Sequence, residues 1–573
     1  MRIARLGAAG LRFGLRRARL SVAAVSCALL LGCGSPPLTN ADGLLVLTDE
    51  TPTGLDYDGP SAAIPQSQTG IVNLMEPLID YAPGAVNDSG VRIPDFTRFE
   101  GRLAERWDFD AARGVLRLHL RRDAVSCAGN PLTAADVVYT FARAKSVSGA
   151  APIGWFLANA GGVADFDGDV FTDPAARTLG DEVRAIDRHT VEIRQGQPNP
   201  LLLPVLTTFG LLIFDSVEMR ARATEDDPWS HDYANNAAPP SFGPYCVERW
   251  VRSSELVLRA NPHYYRGAAP IARIVIKRVP QSANRYMIMR MRQAHVAERL
   301  TPREVAAIED VDGLAVRSVQ GNESLFLHMN FATPPFDDPL VRRAIAAAIP
   351  TRQIIRNGYF GAAVPWTGVA PSSYPGAASG AVTTDDPARA AALLAQAGYP
   401  GGRGLERYPD AFRLAYVAER EAVLGPIAAS LQTALRRLGV PATLDPIPSA
   451  QFGDRQLVKK DLPFALNDQE KPVVVDAGYA AQLFFVSASA GGVNNMVNYA
   501  NPALDALWAR ARGETDRVRR TALIQDIQRL ASADVAWAPI VEYRTHWVGD
   551  AQVQGWSWRP DNALRFYDLR FAP

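Results

Sequence analysis

The chain has 573 residues, of which 47% are apolar and 21% charged, a composition typical of soluble globular proteins. This length exceeds what one hydrophobic core usually supports, so at least two domains or lobes are expected. The net charge is zero and becomes −6 when residues 1–32, with six arginines and no acidic residue, are removed, which argues against binding of nucleic acid or polyanions.

The first 32 residues are predicted to be a signal peptide. Their arginines precede the apolar run LSVAAVSCALLLGC, which is too short to span a bilayer. Leu30-Leu31-Gly32-Cys33 resembles a lipobox, in which cleavage leaves Cys33 as a lipidated N-terminus; a plain signal peptide cut nearby is the alternative. Residues 33–42 form a polar tether. We therefore expect a periplasmic or cell-surface lipoprotein.

Two cysteines remain after Cys27 leaves with the signal peptide and Cys33 carries lipid. They are Cys127 and Cys246. In an oxidising compartment such a pair forms a disulfide or stays as two buried thiols, and the sequence leaves both open.

Between the tether and residue 300 the pattern is mainly that of strands. Apolar runs predict strands at 43–50, 115–120 and 189–194, and a capping box of Thr133 and Asp136 predicts a helix between the last two. In GPYCVERWVRSSELVLRANPHYYRG, residues 243–267, apolar residues alternate on both sides of a Ser-Ser turn, which predicts a hairpin. A further strand is predicted at 271–279.

Beyond residue 300 helix starts dominate. A capping residue followed by proline predicts helices that begin at Thr301, Asp338, Asp386 and Asn501, and a strand is predicted at 325–331. Strands and helices mixed in this way, without a repeat period, predict an α/β chain with several sheets.

Motifs of common enzyme classes are missing from the sequence. The seven histidines have no metal-ligand spacing, and neither a dinucleotide glycine fingerprint nor a Gly-x-Ser-x-Gly elbow is present. We therefore expect no catalysis, no metal and no cofactor, with an extracytoplasmic hydrolase kept as an alternative.

Several segments together resemble a known family. In chain order they include LAERWDFDAARGVLRLHLRRDAV, GNPLTAADVVYTFARA, FGPYCVERW, ANPHYYRGAAPIARIVIKRV and LHMNFATPPFDDPLVRRAIAAAI. On these the chain is identified as a member of the family-5 extracellular solute-binding proteins of peptide ABC importers. The resemblance implies a monomer that captures short peptides or a related small solute and docks on a permease whose ATPase drives import. A sensor or chaperone with the same fold is the other alternative.

The resemblance also implies a periplasmic-binding-protein-like fold, in which two α/β lobes joined by a hinge close over the ligand. It is the large cluster-C type, with an extra subdomain in lobe I. Lobe I is expected at 43–285, lobe II at 286–529, and a return to lobe I at 530–573. Tyr264 and Tyr265 are expected to pack within lobe I rather than contact ligand.

Site residues follow from the same resemblance. An acidic residue after a lobe II strand receives the peptide α-ammonium in peptide-binding members, and Asp476 and Asp468 compete for that position. Asp476 is alternatively a helix cap. The other residues expected to contact the ligand are Tyr543, Glu50, Thr51 and Phe452, although Tyr543 is alternatively a core residue.

Overall fold

The computed structural model describes residues 43–58, 65–145, 157, 160–163, 181–380, 382–468, 471–492 and 494–573. The predicted signal peptide, Cys33 and the tether lie outside these residues. In the part of the chain that is described, no helix has the length and apolar character needed to cross a bilayer.

The strands alternate with helices as the sequence predicts. In chain order the strands are β1 (Leu44–Thr48), β2 (Ile79–Val86), β3 (Arg92–Gly101), β4 (Ala104–Asp110), β5 (Val115–Leu120), β6 (Val183–Asp187), β7 (Thr190–Arg194), β8 (Tyr245–Val251), β9 (Glu255–Ala260) and β10 (Arg273–Arg278). They continue with β11 (Val296–Ala297), β12 (Leu314–Val319), β13 (Ser324–Met329), β14 (Ala363–Pro365), β15 (Arg413–Val417), β16 (Thr443–Ile447), β17 (Phe464–Asn467), β18 (Ala538–Tyr543), β19 (Thr545–Asp550), β20 (Val553–Gln554) and β21 (Arg570–Phe571).

The helices begin where the capping signals predict. The α-helices are α1 (Pro65–Leu74), α2 (Ala134–Lys145), α3 (Leu202–Val205), α4 (Ser216–Ala221), α5 (His231–Asn236), α6 (Ser282–Arg290), α7 (Pro302–Ala306), α8 (Pro339–Ala348), α9 (Thr351–Asn357), α10 (Pro387–Gln396), α11 (Glu421–Arg437), α12 (Ser449–Gly453), α13 (Ala477–Phe484), α14 (Pro502–Ala511) and α15 (Arg517–Ala533). The side chains of Thr301, Asp338, Asp386 and Asn501 each accept a backbone N–H at the start of their helix.

Two large mixed sheets organise the described chain. The first has the order β12-β19-β11-β1-β10-β9-β8, and the second has the order β14-β18-β13-β17-β15-β16. Strand β1 lies between the parallel strands β10 and β11 and is almost wholly buried, which explains its continuous Leu-Leu-Val-Leu run. A separate four-stranded sheet, β4-β5-β7-β6, packs with α2.

The chain crosses between the two large sheets twice, at neighbouring places. It leaves the first sheet at Val319 and enters the second at Ser324, and it returns between Tyr543 and Thr545. Val319 pairs with Thr545 in one sheet, Ser324 pairs with Glu542 in the other, and the Tyr543 N–H donates to the Glu323 carbonyl at 3.1 Å. The two crossings thus form one antiparallel ribbon, here called the crossover ribbon (319–324 and 542–545).

The predicted lobe boundaries at 286 and 530 do not coincide with these crossings. Strands β11 and β12, both after residue 286, pair in the first sheet, and β18, after residue 530, pairs in the second. Sequence patterns locate helix starts, whereas sheet membership depends on which distant strand supplies the hydrogen bonds. The division into two lobes that move stays a prediction.

The predicted hairpin is confirmed as β8 and β9, with Val247 opposite Leu258. The two tyrosines beyond it pack together, and the hydroxyls of Tyr264 and Tyr265 each donate to the carboxylate of Glu76 at 3.0 Å. These hydrogen bonds hold the loop after β9 to Glu76, which lies between α1 and β2.

A disulfide joins Cys127, in the loop after β5, to Cys246 on β8. The Cys127 N–H also donates to the Ser241 carbonyl at 3.0 Å. The bridge ties the four-stranded sheet to the edge of the first large sheet across a separation of 119 residues.

We predict that reduction of this disulfide lowers the free energy of unfolding by about 2–5 kcal/mol, because a long loop in the unfolded chain loses its constraint. Urea unfolding with and without reductant measures the change. A Cys127→Ser/Cys246→Ser double variant is the control and should not respond to reductant. Alkylation of both cysteines in unfolded, unreduced protein would contradict the bridge.

Candidate functional site

A cavity of about 760 Å³ is lined by residues of both large sheets. This volume is within the range of small-molecule sites, about 300–1,000 Å³. The first sheet contributes the segment after β11 (298–302) and the start of β19, and α1 adds its first residues. The second sheet contributes residues at the ends of β15, β17 and β18. The crossover ribbon contributes Glu323, Tyr543, Arg544 and Thr545.

The first charged group in the cavity is centred on Glu323. Its carboxylate lies 3.2 Å from the Lys471 ammonium and accepts hydrogen bonds from the Tyr543 hydroxyl, at 2.9 Å, and from the Asn562 amide. Burial alone would raise the pKa of Glu323, but Lys471 and the hydrogen bond from Tyr543 bring it below its ordinary value. Glu323 is therefore held as a carboxylate.

The second charged group joins Asp468 to Arg420. The guanidinium donates to one Asp468 oxygen at 2.6 and 3.1 Å. The Asp468 side chain is fully covered, while that of Arg420 remains 32% exposed. The charge of Asp468 raises the pKa of Arg420 and outweighs burial, which acts to lower it. Arg420 is thus the member of the pair that faces the open part of the cavity.

Aromatic side chains enclose these charges. Tyr359 and Tyr543 stack with ring centres 5.1 Å apart, and Phe452 lines the cavity from α12. The Tyr359 hydroxyl is buried and has no hydrogen-bond partner among the described residues. Burial raises the pKa of both tyrosines, so both hydroxyls stay protonated and can donate.

Of the residues expected to contact the ligand, the structure brings Asp468, Tyr543 and Phe452 together in this cavity. Asp468 follows β17 directly, and Tyr543 ends β18. Asp468 lines the cavity and Asp476 does not, and the ligand role of either carboxylate stays a prediction.

Asp476 is a structural residue. Its side chain caps α13 by accepting the Tyr479 N–H at 3.0 Å and forms a two-pronged ion pair with Arg520 at 2.7 and 2.8 Å. Both carboxylate oxygens are thus used by protein donors. The alternative prediction, that Asp476 caps a helix, is confirmed, and Asp476 is not among the residues that line the cavity.

Glu50 and Thr51 also lie outside the cavity lining. Glu50 pairs with Arg278 at 2.9 Å, next to the end of β1. Thr51 is 1% exposed, and its hydroxyl has no hydrogen-bond partner among the described residues. The Glu50–Arg278 pair lies at this strand end, and ligand contacts by Glu50 and Thr51 stay a prediction.

Sequence reasoning missed Glu323, Lys471, Arg420 and Glu298. No local pattern distinguishes them from surface charges, because each reaches the cavity only through the packing of distant segments. The one available signal was position, since Glu323 and Arg420 lie within three residues of a strand end.

Comparison with known proteins gives one family. The profile of bacterial extracellular solute-binding proteins, family 5 Middle, matches residues 98–488. The chain is 23% identical over 465 residues to a probable D,D-dipeptide-binding periplasmic protein, DdpA, of Escherichia coli, covering 81% of this chain and 83% of the relative. It is 25% identical over 541 residues to a probable di/tripeptide-binding protein 5 of Pseudomonas aeruginosa, covering 90% and 93%.

Solved structures give the same fold. A dipeptide-binding protein from Pseudoalteromonas sp. SM9913 in complex with Met-Leu superposes with a TM-score of 0.75 at 18% identity. The match covers 92% of this chain and 100% of that one. The predicted periplasmic-binding-protein-like fold is therefore confirmed.

We predict that Asp476→Ala lowers the free energy of unfolding by about 2–4 kcal/mol, because it removes a helix cap and leaves a largely buried guanidinium unpaired. Urea unfolding measures this change. The matched control is Asp516→Ala, which removes the cap of α15 but no buried ion pair and should cost about 1 kcal/mol. Equal losses in the two variants would contradict a structural ion pair at Asp476.

Proposed function

The chain belongs to the bacterial extracellular solute-binding proteins of family 5, and we propose that it captures short peptides in the described cavity and delivers them to the permease of an ABC importer. Its relatives include proteins named for dipeptide and tripeptide binding. Family 5 is a family of binding proteins, and we propose that this member catalyses no reaction and needs no cofactor.

The observation that carries the proposal is the pairing of opposite charges within an aromatic-walled cavity. A short peptide has an ammonium at one end and a carboxylate at the other, so its site needs groups of both signs. We assign Asp468 to the peptide ammonium. Arg420 would then leave Asp468 and turn to a ligand carboxylate, since its side chain is already one-third exposed.

The crossover ribbon is the proposed hinge. We place one lobe at 43–319 with 545–573 and the other at 324–543, so that each lobe contains one large sheet. Residues of both lobes line the cavity, and a ligand that contacts both favours the closed state over the open one.

Cys33 is proposed to carry the lipid that holds the protein at a membrane, as a monomer in the periplasm or on the cell surface. Docking on the permease, with its ATPase, would follow closure. A sensor or chaperone would bind the same ligands and pass none to a permease.

The test begins with native mass spectrometry of gently purified protein, followed by calorimetry with pools of dipeptides to pentapeptides. Peptide binding by the wild type supports the proposal, and turnover of bound peptide or failure of every pool contradicts it.

We predict that Asp468→Asn weakens binding of the selected peptide by about 10- to 100-fold, because one charge-assisted hydrogen bond is lost. Calorimetry measures the dissociation constant. Asp461→Asn is the matched control, because Asp461 is exposed, pairs with Arg455 and lies outside the cavity lining. Unchanged affinity in Asp468→Asn would reject the ammonium role.

A further inference from the structure

Among the residues that the structure describes, four carboxylates line the cavity, and three of them have a protein cation. Glu323 pairs with Lys471, Asp468 with Arg420, and Asp561 with Arg565 at 2.6 Å. The fourth, Glu298, has neither an ion pair within 4.0 Å nor a side-chain hydrogen bond among the described residues.

The Glu298 side chain is held at the cavity by its backbone. Its N–H donates to the Leu47 carbonyl at 2.9 Å, directly after the β1–β11 pairing, and its carbonyl accepts from the Arg285 guanidinium at 3.1 Å. The residue is 9% exposed. A rigid backbone and deep burial therefore position the carboxylate in the cavity lining.

The two nearby guanidinium groups are engaged elsewhere. Arg285 donates to four backbone carbonyls, those of Val279, Pro280, Glu298 and Arg299. Arg299 lies 3.8 Å from the Asp49 carboxylate. Neither forms an ion pair with the Glu298 carboxylate.

A carboxylate in this position is costly to keep ionised. Burial raises the pKa of Glu298 to about 7; Arg299 and Arg285 oppose the rise, and the negative charge of Asp49 adds to it. Buried charges in proteins are normally neutralised or paired with an opposite charge. Because Glu298 lines the cavity, a group that pairs with it can approach from the cavity. Leu300 and Pro302, which also line the cavity, offer apolar surface to an alkyl stem.

We propose that Glu298 is a specificity-determining residue that binds a cationic group of the ligand, an alkylammonium or guanidinium, so that peptides with a lysine or arginine side chain are preferred. This inference rests on the proposed function, since it names the class of peptide that the cavity selects. The same chemistry is found in a peptide α-ammonium, and the test separates the two sources.

The probes are alanine tripeptides with one lysine at the first, second or third position, their norleucine counterparts, and N-acetylated forms of both. Calorimetry gives the dissociation constants for the wild type, for Glu298→Gln and for Glu309→Gln. Glu309 is the matched control, because it is exposed, close in sequence and outside the cavity lining. Thermal unfolding of each variant verifies that it is folded.

We expect the wild type to prefer at least one lysine peptide over its norleucine counterpart by about 10- to 100-fold. Glu298→Gln should remove this preference, while norleucine peptides bind as before and Glu309→Gln behaves like the wild type. A different outcome would assign the carboxylate to the peptide α-ammonium and overturn the side-chain preference. In that outcome N-acetylation weakens binding of lysine and norleucine peptides alike in the wild type, and it has no effect on their affinity in Glu298→Gln.

The pH dependence gives a second readout. Below about pH 7 the Glu298 carboxyl takes up a proton that a cationic ligand must displace, so lysine peptides should bind about tenfold more weakly at pH 6 than at pH 8. Glu298→Gln should abolish this difference. The charged groups closest to Glu298, namely Asp49, Arg285 and Arg299, are unchanged in that variant.

These results separate a failure of the proposed function from a failure of the Glu298 preference. If neither the peptide pools nor these probes bind the wild type, both the peptide function and this inference are overturned. If pool peptides bind but none of these probes does, only the inference is overturned. If tripeptides bind but the ratio of lysine to norleucine affinity is the same in the wild type and Glu298→Gln, only the inference is overturned.

Discussion

The arrangement of this protein depends on the antiparallel hydrogen bonding of its two crossings between sheets. Because Val319 pairs with Thr545 and Ser324 with Glu542, one ribbon continues from the first sheet into the second. The ladder fixes the register of both sheets at their junction, since a slip by one residue would turn every side chain to the opposite face. The same ribbon places Glu323 and Tyr543 next to each other at the cavity.

The second constraint is electrostatic. Removing charges from water is unfavourable, so each charged group in the cavity lining needs a partner of opposite sign or a neutral state. Glu323 and Asp468 have their partners, Lys471 and Arg420, within the protein. In the proposed function, such a pair exchanges one protein partner for a ligand group with the same charge as that partner, which would allow a zwitterion to bind. Glu298 differs because no residue in the described part of the chain provides such a partner.

The secondary structure was largely predictable because its signals are local. A capping side chain and a proline act within one helical turn, and the helices that begin after Thr301, Asp338, Asp386 and Asn501 were found in this way. The hairpin of β8 and β9 was found from alternation over a few residues. The lobe boundaries were harder to place, because sheet membership is decided by pairing between residues hundreds of positions apart.

For the site, the sequence by itself determined the family, the kind of fold and a short set of candidates that included Asp468, Tyr543 and Phe452. Only the tertiary structure decided which carboxylates face the cavity. Asp476 and Asp468 are eight residues apart and equally acidic, yet Arg520 holds one against a helix end and the other lines the cavity. The role of a charged side chain depends on the distant groups that neutralise it, and those groups are brought near by packing, which no local pattern records.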